Sequence, residues 1–184
     1  MNNTSTDAKT RLRDIITKKS LSHGDFKLAS GATSGYYFDM KPTMLDPDGS
    51  GLIADLILDA LEGETVDCVG GLAYGAIPLV VAVVQRSAQR GRPLQGFYVR
   101  KEQKDRGAER LIDGNLVEGG IAVVLEDVTT KGGSSLKAVT AVRDAGCTVN
   151  QVIAVVDRLE GAEATLRDND LKLTALLTRT DFGG

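Results

Sequence analysis

The chain has no tryptophan, a single histidine and only two cysteines in 184 residues. His23, Cys68 and Cys147 are too few and too scattered for a structural zinc site, and no Cys-x-x-Cys pair occurs. Both cysteines are expected to be small buried apolar side chains in a reducing compartment. Aromatic residues make up 4%, so the core must rest on Val, Leu, Ile and Ala. A net charge of −3 lacks the cationic excess that displaces counterions from nucleic acid, and no nucleic-acid partner is expected. A local cluster of cations could still hold a small anion. The longest apolar run, Ala76 to Val84, is far too short to cross a bilayer. The polar opening MNNTSTDAKT has no apolar export segment. The expectation is a cytoplasmic protein with no membrane partner. Three motifs are also missing: GxxxxGK followed by Ser or Thr, GxGxxG, and Gly-x-Ser-x-Gly. The glycines of GGLAYG (Gly70 to Gly75) have the wrong spacing for the first two, and without the third a hydrolase built on His23 is not supported. His23 reads as a turn or helix-terminus residue.

What is present is an alternation of helical and extended patterns. Helices are predicted over Asp7–Ser20, Asp48–Leu61, Ile77–Ala88, Ser134–Asp144 and Ala162–Arg167, the third with Pro78 in its first turn, where a missing N–H costs little. Short apolar strands are predicted at Val66–Val69, Gln95–Val99, Ile121–Leu125, Val149–Val156 and Leu171–Leu177. A hairpin is predicted over Phe26–Met40, and a long polar loop from Arg100 to about Glu118. Continuously apolar strands separated by helices imply an α/β fold, a parallel sheet flanked by helices on both faces. Such sheets place ligands at the carboxyl ends of their strands.

Three unusual segments fall at that edge. In VVLEDVTTKGGSS (Val123 to Ser135) an apolar strand delivers Glu126 and Asp127 to a hydroxyl- and glycine-rich turn that opens a helix. Backbone amides of Thr130 to Ser134 can converge on a phosphate, Gly132 and Gly133 permit close approach, and the helix N-terminus adds partial positive charge. The paired carboxylates can accept hydrogen bonds from vicinal ribose hydroxyls. An ordinary strand-to-helix turn capped by Ser134 would use similar residues. The second segment, FYVRKEQKDRGAERLIDG (Phe97 to Gly114), mixes five cations with four acids and carries Gly107 midway, as a solvated loop or a mobile lid would. The third, FKLASGATSGYYFD (Phe26 to Asp39), is an aromatic hairpin. VVDRLEG (Val155 to Gly161) adds Arg158 after a buried strand.

Together these segments resemble the type I phosphoribosyltransferases, and Glu-Asp-Val-Thr-Thr and Arg-Lys-Glu-x-Lys-Asp-x-Gly most resemble the orotate branch. The likeness runs in order from about residue 10 to 177. It implies a single domain over 1–184, with a small N-terminal hood (about 1–45) on a core (about 46–184). It implies transfer of the 5-phosphoribosyl group of PRPP to orotate, with release of pyrophosphate. Lys104 would be the main catalytic cation, acting with Lys101 and Asp127. PRPP would be held by Arg100, Lys101, Lys104, Arg106, Glu126, Asp127, Val128, Thr129, Thr130, Lys131, Gly132, Gly133 and Ser134. Orotate would be held by Tyr37, Phe38, Thr130 and Arg158. Mg²⁺ would arrive on PRPP with no direct protein ligand. The lid would close over the neighbouring subunit's site in a homodimer. The chain departs from the family's pattern at Ala29 and Gly75, where many relatives carry Lys, and at Arg106, where many carry His. These departures keep open a transferase for another base. A non-catalytic PRPP-sensing regulator is the other alternative, against which the Lys101 and Lys104 pair argues.

Overall fold

The computed structural model describes residues 2–27, 33–102 and 111–183. Among them six strands form one sheet in the order β5-β4-β3-β6-β7-β8. The strands are β3 (Cys68–Gly70), β4 (Gln95–Val99), β5 (Ile112–Gly114), β6 (Ile121–Thr129), β7 (Thr148–Asp157) and β8 (Lys172–Thr178). Every neighbouring pair is parallel except β4 with β5. Two further strands, β1 (Leu21–Lys27) and β2 (Thr33–Phe38), pair antiparallel in a separate ribbon. The helices are α1 (Asn2–Lys19), α2 (Lys41–Met44), α3 (Pro47–Ala60), α4 (Ala76–Gln89), α5 (Gly133–Asp144) and α6 (Ala162–Arg167), and a 3₁₀ turn covers Arg179–Phe182.

The parallel sheet follows from strands that are apolar on both sides. Along β6 the side chains alternate: Val123 and Leu125 pack with α1, α3 and α4, while Ala122 and Val124 pack with α5 and α6. Both faces are therefore dry, as a sheet covered by crossover helices requires. Asp46 caps α3 by accepting hydrogen bonds from the amides of Asp48 and Gly49, and Pro47 follows at the first helical position, where its fixed φ suits the helix. Leu12 and Ile16 of α1 and Phe38 of β2 sit in the same core cluster as the sheet, so the N-terminal elements are bound to the body by burial.

The structure revises several boundaries. The hairpin begins at Leu21 rather than Phe26. The predicted polar loop contains β5, which pairs Ile112 with Val99. Most consequentially for the site, β6 runs on to Thr129, so Glu126 and Asp127 are strand residues. The strand continues because β7 pairs with it in register as far as Thr129 opposite Asp157, which satisfies the backbone of both.

Candidate active site

The carboxyl end of β6 brings the acidic pair to the start of α5. Glu126 is buried, with 7% exposure, and its Oε2 accepts a 2.8 Å hydrogen bond from Ser135 Oγ. Burial, reinforced by repulsion from Asp127, pushes the Glu126 carboxyl up to about 8; the Ser135 bond and the Lys101 ammonium oppose that rise. Lys101 thus stands within electrostatic reach of the acids. Asp127 Oδ1 accepts from the Val128 amide at 2.9 Å. The Asp127 carboxylate also lies against Gly75, where an added Cβ would come within 2.9 Å of it. The Gly75 position, at the head of α4, is small because the carboxylate fills the space.

After the acids the chain turns through Thr130 and Lys131 to Gly132, whose φ of 80° is left-handed and which is buried against Leu166 and Ala162. Glycine adopts that left-handed conformation without strain. Helix α5 then begins at Gly133, not Ser134. Its first turn carries amides without intrahelical acceptors, directed where an anion would be favoured. The loop is tied from behind: the Arg158 amide donates to Thr129 O at 3.0 Å and the Ala162 amide donates to Thr130 O at 3.0 Å.

Those two bonds carry Arg158 to the same edge. Its side chain is 5% exposed and pairs with Glu160 at 2.8 Å. Its guanidinium carbon lies 4.6 Å from the centre of the Tyr36 ring. Asp157, also buried, accepts from the Leu159 amide at 2.9 Å and shapes the turn.

At the foot of the basic segment, Arg100 forms two bonds of 2.6 Å to Asp113 across β4 and β5. Its Nη1 is buried and makes no hydrogen bond among the described residues. Arg100, Lys101, Tyr74 and Tyr98 line a cleft of about 470 Å³. Lys104 and Arg106, with Ala29, lie outside the described residues.

The hairpin aromatics divide by strand parity. Tyr36 and Phe38 meet edge-on at 5.7 Å, and Phe38 is buried against Phe182 at 5.1 Å. Tyr37 is on the other side, 5.6 Å from Phe26, and is partly exposed. The sequence reading chose Tyr37 and Phe38; the ring beside Arg158 is Tyr36. Period-two alternation in Tyr-Tyr-Phe carried that signal. Two further side chains that the sequence does not single out lie near the acids: Ser135, the second serine of the GGSS turn, and Lys41, which feels the charge of Asp127. Lys41 pairs with Asp39 at 2.5 Å; that bond raises its pKa, with smaller help from Tyr37 and Asp127. Among the described residues no group of three or more His, Cys, Asp or Glu side chains is placed to hold a metal ion.

No family model matches the chain. It is 44% identical over 179 residues to the orotate phosphoribosyltransferase of Rhodopseudomonas palustris strain BisB5, covering 95% of this chain and 96% of that protein. Among solved structures it resembles the Mycobacterium tuberculosis H37Rv orotate phosphoribosyltransferase in complex with Fe(III) dicitrate, with a TM-score of 0.86, 36% identity and 96% and 99% of the two chains covered. The same mycobacterial enzyme in complex with PRPP gives a TM-score of 0.82 at 33% identity, again over 96% and 99%.

Proposed function

The chain belongs to the orotate phosphoribosyltransferases, and from that membership we propose how its own residues divide the work. The enzyme transfers the 5-phosphoribosyl group of PRPP to orotate, yielding orotidine 5′-phosphate and pyrophosphate, a step of pyrimidine biosynthesis. The observation that carries the assignment is the end of β6, where two carboxyls, a left-handed glycine and a helix N-terminus meet. In this reading the amides from Thr130 to Ser134 hold the 5′-phosphate, and Glu126 and Asp127 accept hydrogen bonds from the ribose hydroxyls. Arg158 faces the carboxylate of orotate, with Thr130 beside it.

The bond from N1 of orotate to C1 of the ribose forms as the bond to pyrophosphate breaks. Positive charge then grows on the sugar ring, as at other glycosidic centres, and negative charge grows on the leaving group. The Asp127 carboxylate beside the ring, joined by Glu126 when that buried carboxyl is ionised, stabilises the first, and cations stabilise the second. Lys101 and Arg100 line the cleft and are suited to the second task; the buried Nη1 of Arg100, without a hydrogen bond among the described residues, supports that role. Lys104 and Arg106 complete the set by sequence alone. Mg²⁺ would arrive on PRPP, keep phosphate oxygens and waters as most of its ligands, and neutralise the diphosphate.

The finer readings are a single domain with an N-terminal hood and a homodimer whose lids close over each other's sites. Exposed Leu45, Tyr74 and Val81 support a partner surface. Two free buried cysteines suit a reducing cytoplasm. Among the described residues no helix is long and apolar enough to cross a membrane.

The reaction is tested by the fall in orotate absorbance with PRPP and Mg²⁺, run beside adenine, guanine and uracil. Orotate alone is expected to be consumed; use of another base in its place overturns the assignment. Mixing subunits carrying Lys104→Ala with subunits carrying Asp127→Ala tests sharing. Partial recovery of activity supports a shared site, and no recovery opposes it.

A further inference from the structure

We infer that Ser135 is a positioning residue for PRPP, acting through Glu126; the inference rests on the reading that Glu126 accepts a hydrogen bond from a ribose hydroxyl. Ser135 is the third residue of α5 and is wholly buried. Its Oγ donates to Oε2 of Glu126 at 2.8 Å, and Glu126 is itself buried. A buried hydroxyl without a partner costs stability, and alanine would fill the site without that cost. The hydroxyl is there for the carboxyl. An ionised carboxyl has about four acceptor positions, so this bond holds the group in one direction without using it up.

The tie joins two parts of one substrate site. The first hydrogen bond of α5 runs from the Leu136 amide to Gly132 O at 2.9 Å. Ser135 therefore belongs to the turn whose amides face the 5′-phosphate in the proposed function. Glu126 stands nine residues earlier, on β6. One hydroxyl thus sets the offset between the phosphate grip and the ribose acid. It also acts on charge. Among the described residues, the charged groups acting on Glu126 are Asp127, next along β6, and Lys101, beyond the end of β4; Ala154 of β7 lies opposite. Burial and Asp127 favour the protonated form. Ser135 and Lys101 favour the ionised form, the one that can stabilise a positive ribose ring.

The test is the pH profile of kcat/KM for PRPP in Ser135→Ala and Ser135→Cys, each alone and combined with Glu126→Gln. Wild type is expected to gain activity as pH rises through about 8, where Glu126 ionises. Ser135→Ala removes the donor, so that limb should move up by about one pH unit. At pH 7 the variant should lose about tenfold in kcat/KM for PRPP, and above the limb the loss should shrink. The KM for orotate should stay within about twofold. Ser135→Cys fills similar space with a weak donor and should shift alike, so it decides the matter should Ser135→Ala not fold. In Glu126→Gln the limb should be absent, and loss of the serine should cost little more. An unmoved limb, a loss uniform across pH, or a full further loss on top of Glu126→Gln would overturn the positioning role. If Glu126→Gln keeps the wild-type profile, the reading of Glu126 fails first, whatever Ser135 does.

Discussion

Asp55 and Glu126 are both carboxylates held by designed-looking contacts, and they are driven in opposite directions. Asp55, on α3 at the far end of α4 from the site, receives a bidentate bond from Arg86 at 2.7 and 2.8 Å and a bond from Arg90 at 2.5 Å. Hydrogen bonding from Arg86 holds its pKa below the usual carboxylate range, against a partial opposing effect of burial. Glu126 is buried beside another acid, and burial drives its pKa up. One group reinforces the fold by being charged; the other costs stability whenever it is charged. In the proposed function the difference separates a position that serves folding from one that meets the ribose, and perturbation by burial plus a like charge is the pattern expected of such a site.

The sharpest way to break this contrast is to neutralise each acid. Glu126→Gln and Asp127→Asn are each expected to lower kcat/KM by roughly 10²- to 10³-fold, the scale of losing one pre-organised transition-state contact. Asp55→Asn should leave it within about twofold. Equal losses in coupled assays would mean that Glu126 is merely structural.

The pH dependence of stability sharpens it next. The folded-state pKa of Glu126, about 8, exceeds its ordinary value of 4.5. Between those values the native state binds more protons than the unfolded chain, so stability falls as pH rises, by at most about 1.4 kcal/mol per unit. Asp55 is lowered, so its contribution is present above about pH 4 and is lost in acid. Urea denaturation at pH 5.5 and 8 should show wild type weaker at pH 8. Glu126→Gln should flatten that slope, and Asp55→Asn should leave it unchanged.

A smaller effect is expected from Asp55→Asn at neutral pH, about 1 kcal/mol of stability, reduced by salt because the network is partly solvated. Smallest is Arg13→Ala. The Arg13–Asp14 pair is exposed on α1, and its loss should stay within about 0.5 kcal/mol in the same denaturation assay.

Much of the fold is legible in the sequence. Apolar runs at Ile121–Leu125 and Val149–Val156 identified the buried centre of the sheet, because a strand dry on both faces needs no alternation. The acids at the end of β6 and the glycines and hydroxyls that follow read as a sugar-phosphate site, since those residue types are rarely assembled for packing. Other features depend on partners distant in sequence. Strand β5 is three residues long and exists because β4 offers it an edge, so the segment alone reads as a loop. The extension of β6 through Glu126 and Asp127 is set by β7, against the low strand preference of acids. Tyr36 was passed over because which face of a two-stranded ribbon turns inward is decided by the body beneath it. The four residues of α2 are too few for any helical period to register.

The two main-chain bonds from Arg158 to Thr129 and from Ala162 to Thr130 have a consequence for how such a protein can change. They rivet the loop that opens α5 to the turn after β7 using backbone atoms alone, which substitutions do not remove. The gap between those two turns is therefore inherited with the fold, like the throw of a fixed calliper. With the phosphate and base placed as proposed, side chains on either jaw can be exchanged over generations to suit a different heterocycle, while the span between the two stays the same.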